Sequence, residues 1–330
     1  VKQRKQRRQL RQLSTAWLLL APSLILYSLY VVFPILFTLY LSTTNWDGLS
    51  PQVVPMCLEG NSADSSGLFQ VFSRCLGNYS ELMTDPQFWT SLKNTVLWLI
   101  MYPIAAVVGL AFALFFHVKG TLVPLYKSMI FAPMVLSLVV VGTIWSWFLQ
   151  PHFGLAEFVL KRAGLLGAGE EFSLMSSFDY ASIGVIVAAC WPHAAYCMVL
   201  YLAGLSNLQT NVIEAARIDG VNKWQLIWHV ILPMLRPATV VVALVTFIGS
   251  MRAFDIIMVM TAGGPAGSTH VLASYMYEQT FQSFRYGYGA AVAVVLFLLS
   301  LGLIFAYLLH ESAALRGASR KRAAGGDDAT

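Results

Sequence analysis

Charge is what this sequence has least of. Acidic and basic residues together make 11% of its 330 residues, against 57% hydrophobic ones. An ordinary soluble domain carries about 25% charged residues, so this chain cannot cover itself with a water-facing surface, and the bulk of it is expected in lipid. Cysteine is scarce as well. The four, at 57, 75, 190 and 197, form no CxxC pair and no cysteine–histidine spacing that holds zinc, so no metal site is expected. The chain has no GxSxG elbow, no HExxH and no paired acids on adjacent cytoplasmic motifs, which leaves an integral-membrane enzyme as a weak alternative. It has no GxxxxGK[ST] loop and so cannot be an ATPase itself. The formal charge of +5 does not point to nucleic acid, because the basic residues gather at the chain ends and in short connectors rather than on a face interleaved with aromatics. Broken helices in an inverted repeat would favour a secondary transporter, the other alternative, and no such repeat is visible.

What is present are long apolar runs. A helix crosses the hydrocarbon layer with about 20 residues, and stretches at roughly 15–41, 90–116, 121–149, 182–205, 237–261 and 287–310 reach that length. The expected fold is an all-α integral membrane protein, a six-span helical bundle over 15–310. Pro34, Pro103, Pro133 and Pro192 fall inside these runs and are expected to kink spans rather than end them. The basic stretch Lys2–Arg8 before the first run resembles the start of a signal peptide, but the run is too long for an h-region and no small-x-small site follows. An uncleaved first span is the better reading.

Alternate connectors differ in charge. The tails 1–14 and 311–330, the turn 117–127 and the loop 206–236 hold fifteen Lys and Arg; 42–87, 150–180 and 262–286 hold four. By the positive-inside rule both termini and the 206–236 loop are expected to be cytoplasmic. The long outer loop 42–87 contains Cys57 and Cys75 around a Gly/Ser-rich segment, on an oxidising side, so a disulfide is expected there, two free thiols being the alternative. Cys190 and Cys197 lie seven residues apart on one helix, about 10 Å by helical rise, beyond disulfide reach. They are read as packing residues. The last residues, rich in Gly, Asp and Ala, are expected to be disordered.

The long cytoplasmic loop reads Gln209-Thr-Asn-Val-Ile-Glu-Ala-Ala-Arg-Ile-Asp-Gly220-Val-Asn-Lys-Trp-Gln-Leu-Ile-Trp-His-Val-Ile-Leu-Pro233. Asn211 with Glu214 three residues on is a helix-start signature, and Gly220 a helix stop. Past it, Val221, Trp224, Ile227, Trp228 and Ile231 recur at helical spacing and predict a second helix laid on the bundle. Here the sequence resembles the signature of bacterial ABC-importer permeases: Glu214-Ala215-Ala216, then Gly220, Val230 (usually Ile in the family) and Leu232-Pro233. The resemblance implies a type I importer transmembrane domain whose coupling helix docks on an ATPase subunit through Glu214, Ala215, Ala216, Asp219 and Gly220.

Phe254-Asp255 through Gly263-Gly264-Pro265, with Thr269 and Tyr275-Met-Tyr277, resembles the carbohydrate-uptake branch of that family (maltose, oligosaccharide and glycerol-3-phosphate importers), in particular the first permease of each pair. Leu76-Gly-Asn78-Tyr79, Asp85-Pro-Gln-Phe-Trp89 and Asn94-Thr95 resemble the approach to its second span. The stretch 48–75 departs from the pattern as an insertion. The resemblance implies a second homologous permease, a dimer of ATPase subunits that binds the ATP and Mg, an extracytoplasmic solute-binding protein and a sugar as partners, with no cofactor on this chain. It places midplane sugar contacts near Met134, Ser137, Ala189–His193 and Thr246–Ala253. Residue chemistry adds detail. Arg252 and Asp255, three apart in the fifth span, are either an ion pair or solute contacts, Arg252 alone favouring an anionic solute. Thr246 and Ser250 extend them into a polar stripe. Trp191-Pro192-His193 offers an aromatic plane, a kink and a ring that either packs or hydrogen-bonds.

Overall fold

The computed structural model describes residues 17–50, 53–57, 74–117, 121–167, 172 and 174–324, with 310, 311 and 313–324 as backbone only. The tail 1–14, most of the 48–75 insertion and the last six residues lie outside that description. Among the described residues, besides a short 3-10 turn at Leu174–Ser176 and a π-helical segment at Glu278–Gln282, thirteen helices follow in order: α1 Trp17–Leu41, α2 Gly77–Thr84, α3 Pro86–Phe116, α4 Val123–Val135, α5 Leu138–Phe148, α6 Leu155–Arg162, α7 Ala181–Ser206, α8 Thr210–Ile218, α9 Lys223–Met234, α10 Arg236–Met251, α11 Asp255–Met260, α12 Leu272–Tyr277 and α13 Tyr286–Ala324. No strand forms among the described residues, only an isolated bridge between Thr44 and Pro55. Four helices (α1, α3, α7 and the Tyr286–Leu309 part of α13) are long and apolar enough to cross a membrane, and the bent pairs α4–α5 and α9–α10 bring the number to six if each is one span.

The chain divides into two compact units. The first comprises residues 1–84 and 276–295. In it α1 is apolar on every side, with Leu18, Leu19 and Tyr30 each more than 70% exposed, the pattern of a helix whose solvent is lipid. Its end is tied down by the Leu76–Tyr79 motif. The buried Asn78 donates from Nδ2 to the carbonyls of Ser42 and Thr44, both at 2.8 Å, and the Tyr79 hydroxyl donates to Ser42 Oγ at 2.7 Å. Arg285 grips Glu81 with both contacts under 2.8 Å. Cys57 and Cys75 are joined by a disulfide with their Cα atoms 4.7 Å apart. In the same loop, the hydroxyl and N–H of Ser50 and the N–H of Leu49 hold the Asp47 carboxyl down to about 2.

The second unit, 85–275 with 296–330, is organised around α7. More than half of α7 is buried, five of the buried residues being alanines, and it packs against α3, α4, α5 and α10. Lipid supplies no hydrophobic drive between helices, so close backbone approach must do the work. Along α3 the small residues Ala105, Gly109 and Ala113 recur every fourth position, and both alanines are fully covered. At Gly109 a methyl group would lie 2.6 Å from Cys197 Cβ and 2.7 Å from the carbonyl of Ala194. Two apolar clusters fill the unit, one around Trp98, Val141, Val185 and Ile257, the other around Ala113, Met198, Tyr201, Leu205 and Val242.

Two spans depart from the continuous runs expected. In the third, Pro133 does more than kink the helix: α4 ends two residues later and α5 sets off at 101° to it. Proline removes one ladder bond, and Ser137, extended and accepting from the Val140 N–H, supplies an N-cap from which a new helix starts. In the fifth, α10 stops at Met251 and α11 begins at Asp255. Arg252 and Asp255 therefore do not share a helix face, as their spacing had suggested. The last helix, by contrast, runs on past 310 to Ala324.

The Gly109 contact makes a direct test. Gly109→Val forces a branched side chain against a neighbouring backbone, an overpacking cost of about 1–3 kcal/mol. The midpoint of a mixed-micelle SDS unfolding titration should fall accordingly, while Gly302→Ala, which meets open space, should leave it in place. Equal midpoints for the two variants would show that α3 and α7 do not depend on this approach.

Candidate functional site

Three polar assemblies stand out in a chain this apolar. The first lies within the helices of the second unit. His193, from the middle of α7, shares a 2.8 Å hydrogen bond between its Nε2 and Thr246 Oγ1 on α10. The Tyr102 ring stacks on the imidazole, centroids 4.4 Å apart, and a methyl group at Gly249 would lie 3.2 Å from Tyr102 Cε1. Thr246 is also 3.9 Å from Cys197 Sγ. Against it opens a cleft of about 290 Å³ lined by Pro103, Leu110, Tyr201, Val242, Thr246 and Phe247, near the lower bound of roughly 300 Å³ for small-molecule sites.

The remaining residues of the expected path are less concentrated. Ser250 is buried and donates to the Phe247 carbonyl, a bond within its own helix. Trp191 is half-exposed and meets Trp145 edge-on at 6.2 Å. Met134 is partly buried, and the exposed Ser137 is spent on capping α5. No ion pair joins Arg252 to Asp255 among the described residues, and both are exposed. Each instead complements a helix end: Arg252 follows the negative C-terminus of α10, and Asp255 opens the positive N-terminus of α11.

The second assembly joins two motif stretches more than 170 residues apart. Asn94 Nδ2 donates to the carbonyls of Ser268 at 2.6 Å and His270 at 2.9 Å, and Gln87 Nε2 to that of Gly267 at 2.7 Å. The Leu272 N–H donates to Thr95 Oγ1 at 3.0 Å, and the Tyr275 hydroxyl donates to Asp85, which also caps α3 through the Gln87 N–H. Thr261 and Thr269 close the turn between them at 2.8 Å. The whole turn is thus hung on the first three turns of α3.

The third is the 206–236 connector. α8 begins at Thr210 after Gln209, without a side-chain cap, so Asn211 is not its cap. The capping box sits in the second helix instead, where Asn222 and Gln225 exchange side-chain and backbone bonds. Between the helices Gly220 has φ +80°. Its N–H donates to the Arg217 carbonyl and that of Val221 to the Ala216 carbonyl, both at 3.2 Å, the two bonds of a Schellman turn. Nothing lies within 4 Å of where a Gly220 side chain would begin. Glu214, Ala215 and Asp219 are exposed, while Ala216 packs against the bundle.

The face α9 buries is only partly the one its spacing predicted. Ile231 is buried and Val221 and Ile227 pack against the bundle, as expected, but Trp224 and Trp228 are 72% and 62% exposed and Leu226 is buried instead. Residues 226–231 form a π-helical segment, which winds wider than an α-helix and shifts every later side chain around the axis. Neither Tyr102 nor the Asn222–Gln225 box was singled out from sequence. The box is written there as Asn-x-x-Gln. Tyr102 has no local signal, because its partner comes from a helix 90 residues away.

Residues 89–321 match the model of the family described as binding-protein-dependent transport system inner membrane component. The chain is 34% identical over 294 residues to a probable ABC transporter permease protein of Pyrococcus horikoshii, covering 88% of this chain and 93% of that one. It is 33% identical to the sulfoquinovosyl glycerol transport system permease protein SmoG of Agrobacterium fabrum, covering 89% of each, and 30% identical to the lactose transport system permease protein LacF of Rhizobium radiobacter, covering 89% and 94%. Among solved structures, a chain of a bacterial ABC transporter that imports the acidic polysaccharide alginate superposes with TM-score 0.73 at 18% identity, over 93% of this chain and 99% of that one.

The His193–Thr246 bond can be examined without reference to activity. Thr246→Val strands a ring nitrogen and is expected to cost about 1–3 kcal/mol, read as a lower thermal midpoint in detergent. Adding His193→Leu should recover most of the loss, since removing both partners leaves nothing unpaired. Strictly additive losses would mean that the two residues do not interact.

Proposed function

Because the chain belongs to the family of binding-protein-dependent transport system inner membrane components, we propose that it is the membrane-spanning permease of an ATP-driven importer that moves a sugar or related solute into the cytoplasm. The observation that carries this reading is the 206–236 connector. It holds a rigid helix–turn–helix with a large apolar display, Ile218 at 86% and Trp224 at 72% exposed, as a surface built to be covered. A chain without a nucleotide-binding loop borrows hydrolysis from a partner through such a contact.

In this reading α8 is the coupling helix. Glu214, Ala215 and Asp219 face the ATPase subunit, Ala216 anchors the helix to the bundle, and Gly220 sets the angle between α8 and α9. The ATPase dimer holds the ATP and Mg. A second, homologous permease completes the pathway, and a solute-binding protein delivers the sugar from outside. Both termini and the connector are cytoplasmic, supported by the fifteen Lys and Arg on that side.

The solute passes beside α7 and α10. His193 is oriented by Thr246 and stacked on Tyr102, while Trp191 presents a half-exposed ring, and a stacking plane with a few fixed polar groups suits a sugar. Met134, Ser137, Ser250, Arg252 and Asp255 belong to the same path. The carbohydrate names borne by SmoG and LacF favour a sugar. The test is uptake of labelled sugars into proteoliposomes holding this chain with its second permease, ATPase and binding protein. Uptake should require ATP inside and binding protein outside. Accumulation driven by an ion gradient without ATP would overturn the reading in favour of a secondary transporter.

Coupling has its own test. Gly220→Asn keeps a residue tolerant of positive φ and should retain uptake. Gly220→Val costs about 1–2 kcal/mol in that conformation, or about a 5- to 30-fold loss of the docked state, and substrate-stimulated ATP hydrolysis should fall with it. Full hydrolysis and uptake by Gly220→Val would remove this turn from the coupling route.

A further inference from the structure

α6 is amphipathic in the wrong sense for a helix in water. Its inward face holds Ala156 and Glu157, at 9% and 3% exposure, whereas Leu155, Phe158 and Val159, one face by three- and four-residue spacing, are 55%, 65% and 52% exposed. Phe153 just before the helix and Leu165 just after it add 89% and 74%. Arg162 continues the apolar face as an exposed cation at its end.

The helix cannot roll over to hide this face. Glu157 Oε1 accepts from Lys161 Nζ at 2.7 Å, and Oε2 accepts from the N–H groups of His152 at 2.8 Å and Phe172 at 3.4 Å. The Lys161 bond, then that of the His152 N–H, hold the carboxyl below the usual glutamate range. Donors from both flanks therefore pin the inward face, and rotating Phe158 inward would strand a buried carboxylate. Nor can α6 drift far from the bundle. It packs on α5, and the link between them is folded into a turn by the Gly154 N–H donating to the Gln150 carbonyl at 2.8 Å.

A short helix fastened where a membrane-spanning segment ends, apolar outward and basic at one end, has the makeup of an interfacial element. The geometry points to lipid as the occupant of this face: α6 lies along the bilayer surface with Leu155, Phe158 and Val159 at the headgroup–acyl boundary and Arg162 reaching up to the phosphates. With the orientation proposed above, the leaflet is the outer one. At the end of α5, close before α6 in the chain, Trp147 is likewise apolar and 76% exposed.

Site-directed spin labelling tests this on the assembled transporter in nanodiscs of phosphatidylethanolamine and phosphatidylglycerol. Single cysteines replace Leu155, Phe158 or Val159, all exposed positions, in a chain whose Cys190 and Cys197 are alanine. Lipid contact predicts that oxygen relaxes all three labels more than a water-soluble nickel chelate does. Dominance of the nickel chelate would place the face in water and overturn the proposal. Protection from both reagents in the complex, but not in the chain alone, would assign the face to a protein partner and overturn it equally. The relaxation contrast does not depend on which leaflet is involved, and outside addition of the chelate to sealed vesicles reports the orientation separately.

Discussion

At Gly109 the backbones of α3 and α7 meet with no side chain between them, and much of the second unit takes its position from that contact. Two helices in lipid gain little by touching through leucines, because the tails they leave are as apolar as the side chains they find. They gain by coming close enough for many atoms to be in range at once, which only small residues allow. Ala105, Gly109 and Ala113 provide one seam and the alanines of α7 the other. With α7 fixed, Tyr102 and His193 stack, Thr246 finds the imidazole, and the cleft beside α10 acquires a wall. A polar group placed on a looser scaffold would wander among partners. Here each has one.

The same economy governs the ends of the bundle. Where the chain leaves the helices, single polar side chains are given structural duties over long distances in sequence: Asn78 holds the end of α1, Asn94 and Gln87 hold the 267–270 turn, and Glu157 holds α6. The side chains of the exposed Glu214 and Asp219 make no hydrogen bond or ion pair among the described residues, and they sit on the surface proposed to meet a partner.

Much of this was legible in advance, for physical reasons. Apolar runs of about 20 residues have few fates, so the all-helical membrane fold and most of its spans could be read from hydropathy. Gly220 was legible because a left-handed turn has one preferred residue. What escaped reading depends on more than local pattern. The 226–231 segment winds as a π-helix, and a fixed 3.6-residue period then puts Trp224 and Trp228 on the wrong side. The Arg252–Asp255 pairing assumed an uninterrupted helix. The turn at 267–270 could be recognised as a motif, and Asn94 as part of another, yet nothing in either stretch says that they bind each other. Tyr102 is invisible without the fold.

The interruptions at 136–137 and 252–254 have one more consequence. A helix that stops leaves about four carbonyls and four amides without partners in its own ladder, and an apolar layer offers nothing to replace them. They must be served by neighbouring protein or by water drawn in from the surface, and either one raises the local polarity. The helices that restart after the two interruptions, α5 and α11, pack against each other. The two interrupted spans therefore meet through the helices that restart, and on the pathway proposed above such freed backbone groups would lower the dehydration penalty for a hydroxyl-rich solute without any charged side chain having to be buried there.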